Sequence, residues 1–179
     1  FVNNPYFFQL SFKYYLLAIT KNFPDWENRN LIFTSDDLAY CKYHFSFLKN
    51  AFFLENLSAM EQLALCSQFD DFVISNSTFS WWIAWQGEKE GSKVIRPIKN
   101  LRGEYAKMND DSDYYPDRCI SFDENSFKLE RQYFMLNVKA SFYSLFVNSR
   151  FRFLKLKKMS KKYVKMIMSF LHLRKNIES

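Results

Sequence analysis

The stretch FVISNSTFSWWIAW, residues 72–85, is the part of the sequence that decides the fold. It opens with a short apolar run at residues 72–74, which is typical of a strand buried inside a sheet. A polar turn follows at residues 75–78, and residues 79–85 continue as an aromatic segment without helix breakers. A buried strand that passes through a polar turn into a helix is the repeating unit of parallel α/β folds.

The same order of elements recurs on both sides of this stretch. Upstream, residues 31–34 form a second short apolar run, which leads into Ser35-Asp36-Asp37 and a helical pattern from Leu38. Downstream, residues 94–95 form a third apolar run before Arg96-Pro97. Further helices are predicted over residues 9–21 and 57–68. Short buried strands alternating with helices predict an α/β fold with a parallel sheet, whose ligands bind at the carboxyl ends of the strands.

The first strand-end turn contains two adjacent aspartates. Ser35 is predicted to cap the following helix, with Asp36 and Asp37 in its first turn, where the helix dipole favours negative charge. In the alternative interpretation, Asp36 or Asp37 reaches over the sheet edge to a ribose, base or sugar hydroxyl. Adjacent aspartates that open a helix point in different directions, which disfavours a divalent metal site. The acidic loop at residues 110–113 has no strand before it and is interpreted as solvated.

The second strand-end turn suits an anionic ligand. Five side chains in residues 75–80 carry a hydroxyl or an amide, and four of them are the candidate ligands: Asn76, Ser77, Thr78 and Ser80. Together with the free backbone N–H groups at the positive end of the next helix, they suit a diphosphate. Thr78 also begins a stripe at helical spacing that continues with Trp81, Trp82 and Trp85. We predict that most of this stripe packs in the core and does not stack on sugars.

Composition excludes several other kinds of site. The chain has three glycines, which excludes a glycine-rich phosphate loop. Its cysteines, Cys41, Cys66 and Cys119, fit no C-x-x-C metal pattern and favour a reduced, cytosolic setting with packing roles. The histidines, His44 and His172, stand alone and are interpreted as helix-surface residues, not as zinc ligands. No metal site is therefore predicted.

Charge divides the chain near residue 125. Residues 1–125 carry 12 Lys and Arg against 17 Asp and Glu, whereas residues 126–179 carry 13 against 2. We therefore predict a globular domain over residues 1–125 and a basic helical tail over residues 126–179. The first residue is Phe1 and no secretory signal follows it, so we expect the chain to begin inside a longer protein.

The tail is predicted to contain an amphipathic helix. Six apolar side chains fall on one helical face: Leu156, Met159, Tyr163, Met166, Ile167 and Phe170. Lysines from Lys155 to Lys165 occupy the rest, which is typical of a helix lying on an anionic membrane surface. A helix packed on its own domain with a solvated lysine face remains open, and nucleic acid is the least favoured partner. Residues 127–147 carry too many charges for a membrane span.

Beyond these patterns, residues 73–85 (VISNSTFSWWIAW) closely resemble the terminal signature of the α-1,2-fucosyltransferases, glycosyltransferase family 11. Residues 32–42 (IFTSDDLAYCK) resemble the strand-end element of that family, with a Cys-Lys pair after the aspartates. Three further segments agree in order: residues 14–19, 94–97 and 115–117. The resemblance covers residues 6–122. The family's His-x-Arg-Arg-x-Asp motif, whose arginine binds the donor diphosphate, is expected just before Tyr6 and is absent from this sequence.

The resemblance implies a GT-B-like glycosyltransferase, with residues 1–125 forming much of its Rossmann-like donor-binding half. The implied reaction is inverting transfer of L-fucose from GDP-fucose to the 2-hydroxyl of a galactose in a glycan, with no cofactor and no essential metal. The implied donor-binding residues are Ser35, Asp36, Asp37, Asn76, Ser77, Thr78, Phe79 and Ser80. No residue is singled out as the catalytic base, and we expect the chain alone to have little or no activity.

Two other functions stay open. One is a fucosyltransferase that forms a different linkage. The other is a non-catalytic α/β module in which the membrane-binding tail carries the function. In each case we expect a cytoplasmic protein that is peripheral on the inner face of the membrane.

Overall fold

The structure is a computed structural model that describes residue 4 and residues 6–175, without the side chains of residues 148, 151 and 164–175. Its helices and parallel strands form a mixed α/β arrangement. This confirms the predicted fold class and is consistent with a Rossmann-like domain.

The strands form two small parallel sheets. One pairs β1 (Leu31–Phe33) with β2 (Ala51–Phe53). The other has the order β3 (Phe72–Val73), β4 (Val94–Pro97) and β5 (Ile120–Phe122), with residue 73 opposite 95 and residue 95 opposite 120. Because β3, β4 and β5 run in the same direction, the loops that follow them begin at one edge of the sheet.

Helices separate the strands and follow the last of them. Their bounds are α1 (Phe12–Asn22), α2 (Leu38–Phe45), α3 (Ala59–Cys66), α4 (Thr78–Gly87), α5 (Gly103–Met108) and α6 (Phe134–Lys175). Short 3₁₀ turns lie at Trp26–Asn28, Glu124–Ser126 and Arg131–Tyr133. Local caps fix where several helices begin. At α3, the Ser58 side chain accepts from the Glu61 N–H and Glu61 reaches back to the Ser58 N–H, which satisfies two of the free N–H groups of the first turn.

Two hydrophobic clusters cover opposite faces of the three-stranded sheet. Phe72, Ile74 and Val94 pack with Ile83 and Ala84 of α4. On the other side, Ile95 and Phe122 pack with the α1 residues Tyr14, Leu17 and Ala18. The alternation of side chains along a strand explains the division, because neighbouring residues such as Val94 and Ile95 point to opposite faces.

The sequence predicted these elements unevenly. The helices and strands expected near residues 9–21, 31–34, 57–68, 72–74 and 94–95 are all present. Strands β2 and β5 and helix α5 were not predicted. The prediction that Ser35 caps α2 was wrong: Asp37 is the N-cap, and its carboxylate accepts from the Tyr40 N–H at 2.9 Å. The cap lies directly before Leu38, where the helix begins, and Ser35 is too far upstream.

The chain forms two compact units, Phe1–Asn137 and Val138–Ser179. The first extends past the predicted domain limit at residue 125, since Leu129 packs on the cluster around α1 and Glu130 pairs with Lys21 at 3.2 Å. The division into domains 1–125 and 126–179 stays a prediction. Within the described part of the chain, no helix combines the length and the apolar character needed to cross a bilayer.

Candidate functional site

The carboxyl edge of the three-stranded sheet holds the candidate site. Residues 74–77 leave β3 there, residues 98–102 leave β4, and residues 123–126 leave β5. The segment at residues 6–8 joins the same edge, because the Phe8 N–H donates to the Asn100 carbonyl at 2.9 Å and the Arg102 N–H donates to the Tyr6 carbonyl at 2.9 Å. Ligands of open α/β sheets bind at such an edge.

Asn76 is the buried link between these segments. Its side-chain amide donates to the Phe8 carbonyl at 2.5 Å and to the Asn100 carbonyl at 3.3 Å, and only 6% of the residue is exposed. Both amide contacts go to backbone carbonyls: the half-buried Phe8 carbonyl, and the buried Asn100 carbonyl, which also accepts from the Phe8 N–H. Asn76 therefore positions the edge, and its NH₂ group is already engaged.

The serines of the turn also bond within it. The Ser77 hydroxyl is the N-cap of α4 and accepts from the Phe79 N–H at 3.3 Å. The Ser80 hydroxyl donates to the Ser77 carbonyl at 2.9 Å or the Ser75 carbonyl at 3.1 Å. These contacts fix the polar turn in one conformation.

Thr78 and Phe79 complete the turn in different ways. Thr78 is exposed at the first position of α4, while the Phe79 ring packs on the hydrophobic cluster below the helix. Among the four predicted hydroxyl and amide residues, Thr78 is the one whose side chain faces solvent. The N-terminus of α4 at Thr78 is therefore the part of the turn that is open to a ligand.

The aspartate turn is exposed at its centre. Ser35 accepts from the Asp37 N–H at 3.0 Å, and its hydroxyl lies 3.4 Å from the Asp36 carboxylate. Asp37 caps α2, whereas the Asp36 side chain is exposed and, among the described residues, is hydrogen-bonded only by Ser35. The cap role predicted for the aspartates is thus carried by Asp37, and Asp36 is the carboxylate that can reach a ligand hydroxyl.

Tyr15 of α1 connects the two turns. Its side chain lies near Ser75 of the second turn and near Tyr40 and Cys41 of α2. The Cys41 side chain in turn lies near Ser35 of the first turn. Desolvation raises the pKa of Tyr15 and of Cys41, so both side chains stay neutral at physiological pH. The structure thus brings the predicted turns at residues 34–37 and 75–80 to one region around Tyr15.

Arg96 is a polar residue of this region that the sequence reasoning did not select. Its guanidinium carbon lies 4.9 Å from the centre of the Tyr115 ring, and one terminal nitrogen donates to the Pro97 carbonyl at 3.2 Å. The Nε of Arg96 and the hydroxyl of Tyr115 are buried without a hydrogen-bond partner. An arginine inside an otherwise apolar strand run was the available signal for it.

A cleft of about 540 Å³ lies beside the Asn76 contacts. Phe8, Gln9, residues 98–99 and residues 101–103 line it together with Ala106 and Asp111, so its wall carries two basic side chains, Lys99 and Arg102, and one acidic side chain, Asp111. Arg102 also donates to the Asn4 carbonyl at 2.7 Å. None of the eight predicted donor-binding residues lines this cleft, although Asn76 contacts two of the segments that form it.

The tryptophans of α4 correct one prediction. The helix buries Ile83, Ala84 and Gly87, whereas Trp82 and Trp85 are about half exposed, so the stripe beginning at Thr78 is not the core face. Trp85 stacks on Trp81 with ring centres 4.9 Å apart. Gly87 explains the orientation of the helix. A Cβ at this position would lie 2.6 Å from the Phe72 ring, so the absence of a side chain lets this face of α4 pack closely on the sheet.

The three cysteines and His44, whose residue types can bind metal ions, are buried in the structure. Cys41, Cys66 and Cys119 are free and buried, as packing roles require. The prediction of a surface position for His44 was wrong: it is 3% exposed and its ring contacts Tyr40 and Phe12. In the part of the chain that the structure describes, no three His, Cys, Asp or Glu side chains are grouped as a metal ion would need.

Helix α6 carries the predicted tail surface. Leu156, Met159 and Tyr163 are exposed, as are the lysines from residue 155 to residue 162. The side chains of Lys165, Met166, Ile167 and Phe170 lie outside the described residues, so the rest of the predicted apolar face stays a prediction.

Comparison with protein-family models identifies the family of the chain. The family model described as Glycosyl transferase family 11 matches residues 10–117, which is more than half of the chain. The matched range contains both strand-end turns, Arg96 and Tyr115. No curated protein and no solved structure matched the chain.

Proposed function

Because the chain belongs to glycosyltransferase family 11, which implies fucosyltransferase activity, we propose that it acts as a galactoside α-1,2-fucosyltransferase. The proposed donor is GDP-L-fucose, and the proposed acceptor is the 2-hydroxyl of a galactose in a glycan. The observation that supports the proposal is the turn at residues 75–80, which holds the open N-terminus of α4 at the carboxyl edge of a parallel sheet.

The chemistry of fucose transfer explains why such a turn is needed. As the glycosidic bond breaks, negative charge accumulates on the departing GDP, and fixed hydrogen-bond donors stabilise that charge. The first N–H groups of a helix are such donors and lie at the positive end of its dipole. Thr78 adds an exposed hydroxyl, while Asn76, Ser77 and Ser80 hold the turn rigid.

The aspartates have a separate proposed role. The exposed carboxylate of Asp36 accepts a hydrogen bond from a guanosine or fucose hydroxyl, and Asp37 fixes the loop by capping α2. Transfer then proceeds with inversion and without a metal, since protein donors supply the charge stabilisation. No cofactor besides the donor substrate is proposed.

Nucleotide selectivity tests the proposal. Isothermal titration with GDP, GMP, ADP and UDP, on protein in which the His-x-Arg-Arg-x-Asp motif is restored upstream of Tyr6, should give the tightest binding for GDP, because only GDP of these four combines the guanine base with a diphosphate. Equal binding of all four, or binding of none, would reject the proposed function. Tight binding of GDP together with transfer of fucose to another hydroxyl would retain the family and favour a different linkage.

We also propose that the tail holds the enzyme on an anionic membrane from the cytoplasmic side. The exposed apolar residues Leu156, Met159 and Tyr163 share a helix with exposed lysines, and residues 126–179 carry 13 basic against 2 acidic residues. Each lysine near such a surface contributes about 1 kcal/mol. The rival interpretation, in which the tail is the only working part of a non-catalytic module, predicts the same membrane binding without nucleotide binding.

Vesicle sedimentation tests the tail. The full chain should pellet with vesicles that contain phosphatidylserine and stay in solution with purely zwitterionic vesicles. Removal of residues 150–179 should abolish pelleting. If the truncated chain pellets as the full chain does, the membrane role of the tail is refuted.

A further inference from the structure

Arg96 has no carboxylate partner among the described residues, unlike Arg29 and Arg118 of the same unit. Arg29 pairs with Asp71 at 2.6 Å, and Arg118 pairs with Glu88 at 2.7 Å. Arg96 is half-buried, yet no acidic oxygen of the described residues lies within the 4.0 Å that defines an ion pair. Its Nε is enclosed and donates to nothing.

A second unpaired donor lies beside it. Tyr115 is 7% exposed, its ring lies under the Arg96 guanidinium, and its hydroxyl has no hydrogen-bond partner. Removing the Nε–H of Arg96 and the hydroxyl of Tyr115 from water without giving them acceptors is unfavourable. A ligand that brings negatively charged oxygens would satisfy both groups at once.

The position of Arg96 identifies the face of the sheet on which that ligand binds. Side chains alternate along β4, so Arg96 extends on the face of Val94, which packs against α4. The Ile74 N–H donates to the Ile95 carbonyl at 2.9 Å, so the end of β3 lies next to Arg96. Residues 75–78 leave β3 at that level and begin α4 on the same face.

We propose that Arg96 and Tyr115 form an anion-binding site, the anion seat, on the face of the sheet that packs against α4. These two side chains contact the donor diphosphate from the sheet, and the backbone N–H groups of the first turn of α4 contact it from the helix. The inference rests on the proposed function, because a nucleotide sugar is the diphosphate-bearing ligand that this function supplies. The guanidinium gives two N–H groups in one plane, which suits adjacent phosphate oxygens, and the tyrosine hydroxyl gives a third donor.

The seat is tested by Arg96→Met, with Arg118→Met as the matched control. Both variants remove one guanidinium that lies near an aromatic ring, but Arg118 is exposed and already paired with Glu88. Titrations use GDP and inorganic pyrophosphate, at constant salt. Arg96→Met should weaken both ligands by about tenfold to a hundredfold, the range expected for hydrogen bonds to a charged group, and Arg118→Met should leave both unchanged.

Thermal melting separates a binding role from a structural one. Because an unpaired, half-buried cation destabilises the free protein, Arg96→Met should melt no lower than the wild type without ligand and should lose the rise in melting temperature that pyrophosphate produces. If Arg96→Met does not fold, Tyr115→Phe decides, since it keeps the ring and removes only the hydroxyl. Weaker pyrophosphate binding by that variant supports the seat, and unchanged binding overturns it.

The outcomes also separate the seat from the proposed function. If the wild type prefers GDP and Arg96→Met binds it equally well, the seat is refuted and the proposed function stands. If pyrophosphate binding depends on Arg96 but GDP binds no better than UDP, the seat stands and the proposed function fails. If the wild type binds neither GDP nor pyrophosphate, both are refuted.

Discussion

Replacement of Asn76 by alanine should destabilise the fold before it affects any ligand. The change removes the side-chain donor to the Phe8 carbonyl. It also removes one of the two donors to the Asn100 carbonyl, which still accepts from the Phe8 N–H at 2.9 Å. An unsatisfied buried carbonyl costs about 1–3 kcal/mol, and the half-buried Phe8 carbonyl lies at the lower end of that range; loss of the second, shared hydrogen bond adds about 0.5–1.5 kcal/mol. We therefore expect the free energy of unfolding to fall by about 1.5–2.5 kcal/mol.

Urea denaturation followed by tryptophan fluorescence measures this loss. Thr78→Ala is the control in the same turn, because its side chain is exposed, and it should change the free energy of unfolding by less than about 0.5 kcal/mol. A loss below about 1 kcal/mol for Asn76→Ala would refute the role of Asn76 as the link between residues 8, 76 and 100.

Asn76→Asp adds a test by pH. The carboxylate would face two carbonyl oxygens in a buried site, so its pKa in the folded protein should rise above the ordinary value of about 3.9. When the pKa of a carboxyl group is higher in the folded state than in the unfolded state, the protein loses stability as the pH rises from the unfolded-state pKa to the folded-state pKa. The variant should therefore lose more stability relative to the wild type at neutral pH than near pH 4, and an equal loss at both would contradict this reasoning.

Three further predictions concern packing, metal and thiol chemistry. Gly87→Ala should lower the free energy of unfolding by about 1–3 kcal/mol, because its methyl group would meet the Phe72 ring and the Ser67 carbonyl; an unchanged urea midpoint would contradict this. EDTA should leave the affinity for GDP unchanged in titration, and a loss restored by Mg²⁺ would overturn the metal-free proposal. Burial raises the pKa of the Cys41, Cys66 and Cys119 thiols, so a disulfide reagent should react far more slowly with the native chain than with the urea-unfolded chain, and equal rates would refute their buried placement.

The elements that the sequence predicted well are those with a strong local pattern. Residues 31–34 and 72–74 are continuous apolar runs between polar turns, so their strands could be recognised. Strand β2 spans only Ala51–Phe53, and β5 alternates Ile120, Ser121 and Phe122 over three residues. Such short strands are defined by pairing with a neighbouring strand, which local pattern does not report.

The sequence predicted only part of the candidate site, again because a local pattern does not report contacts with distant segments. Polar residues at a strand end identify the turn at 75–80, but hydrogen bonds to distant segments decide which of their groups remain open. Asn76 bonds to residues 8 and 100, and Ser80 bonds back to Ser77, and neither contact is visible in the linear sequence. Arg96 was overlooked because its significance lies in its buried, unsatisfied Nε and in the Tyr115 ring beside it, which the linear sequence does not report.

A spectroscopic titration locates the diphosphate directly. Amide ¹H–¹⁵N spectra of the labelled chain, recorded during addition of GDP, report which backbone N–H groups gain a charged acceptor. We predict the largest downfield shifts at Thr78 and its neighbours in the first turn of α4. Shifts confined to the cleft near Arg102, with the signals of residues 76–80 unmoved, would contradict the placement of the diphosphate at the N-terminus of α4.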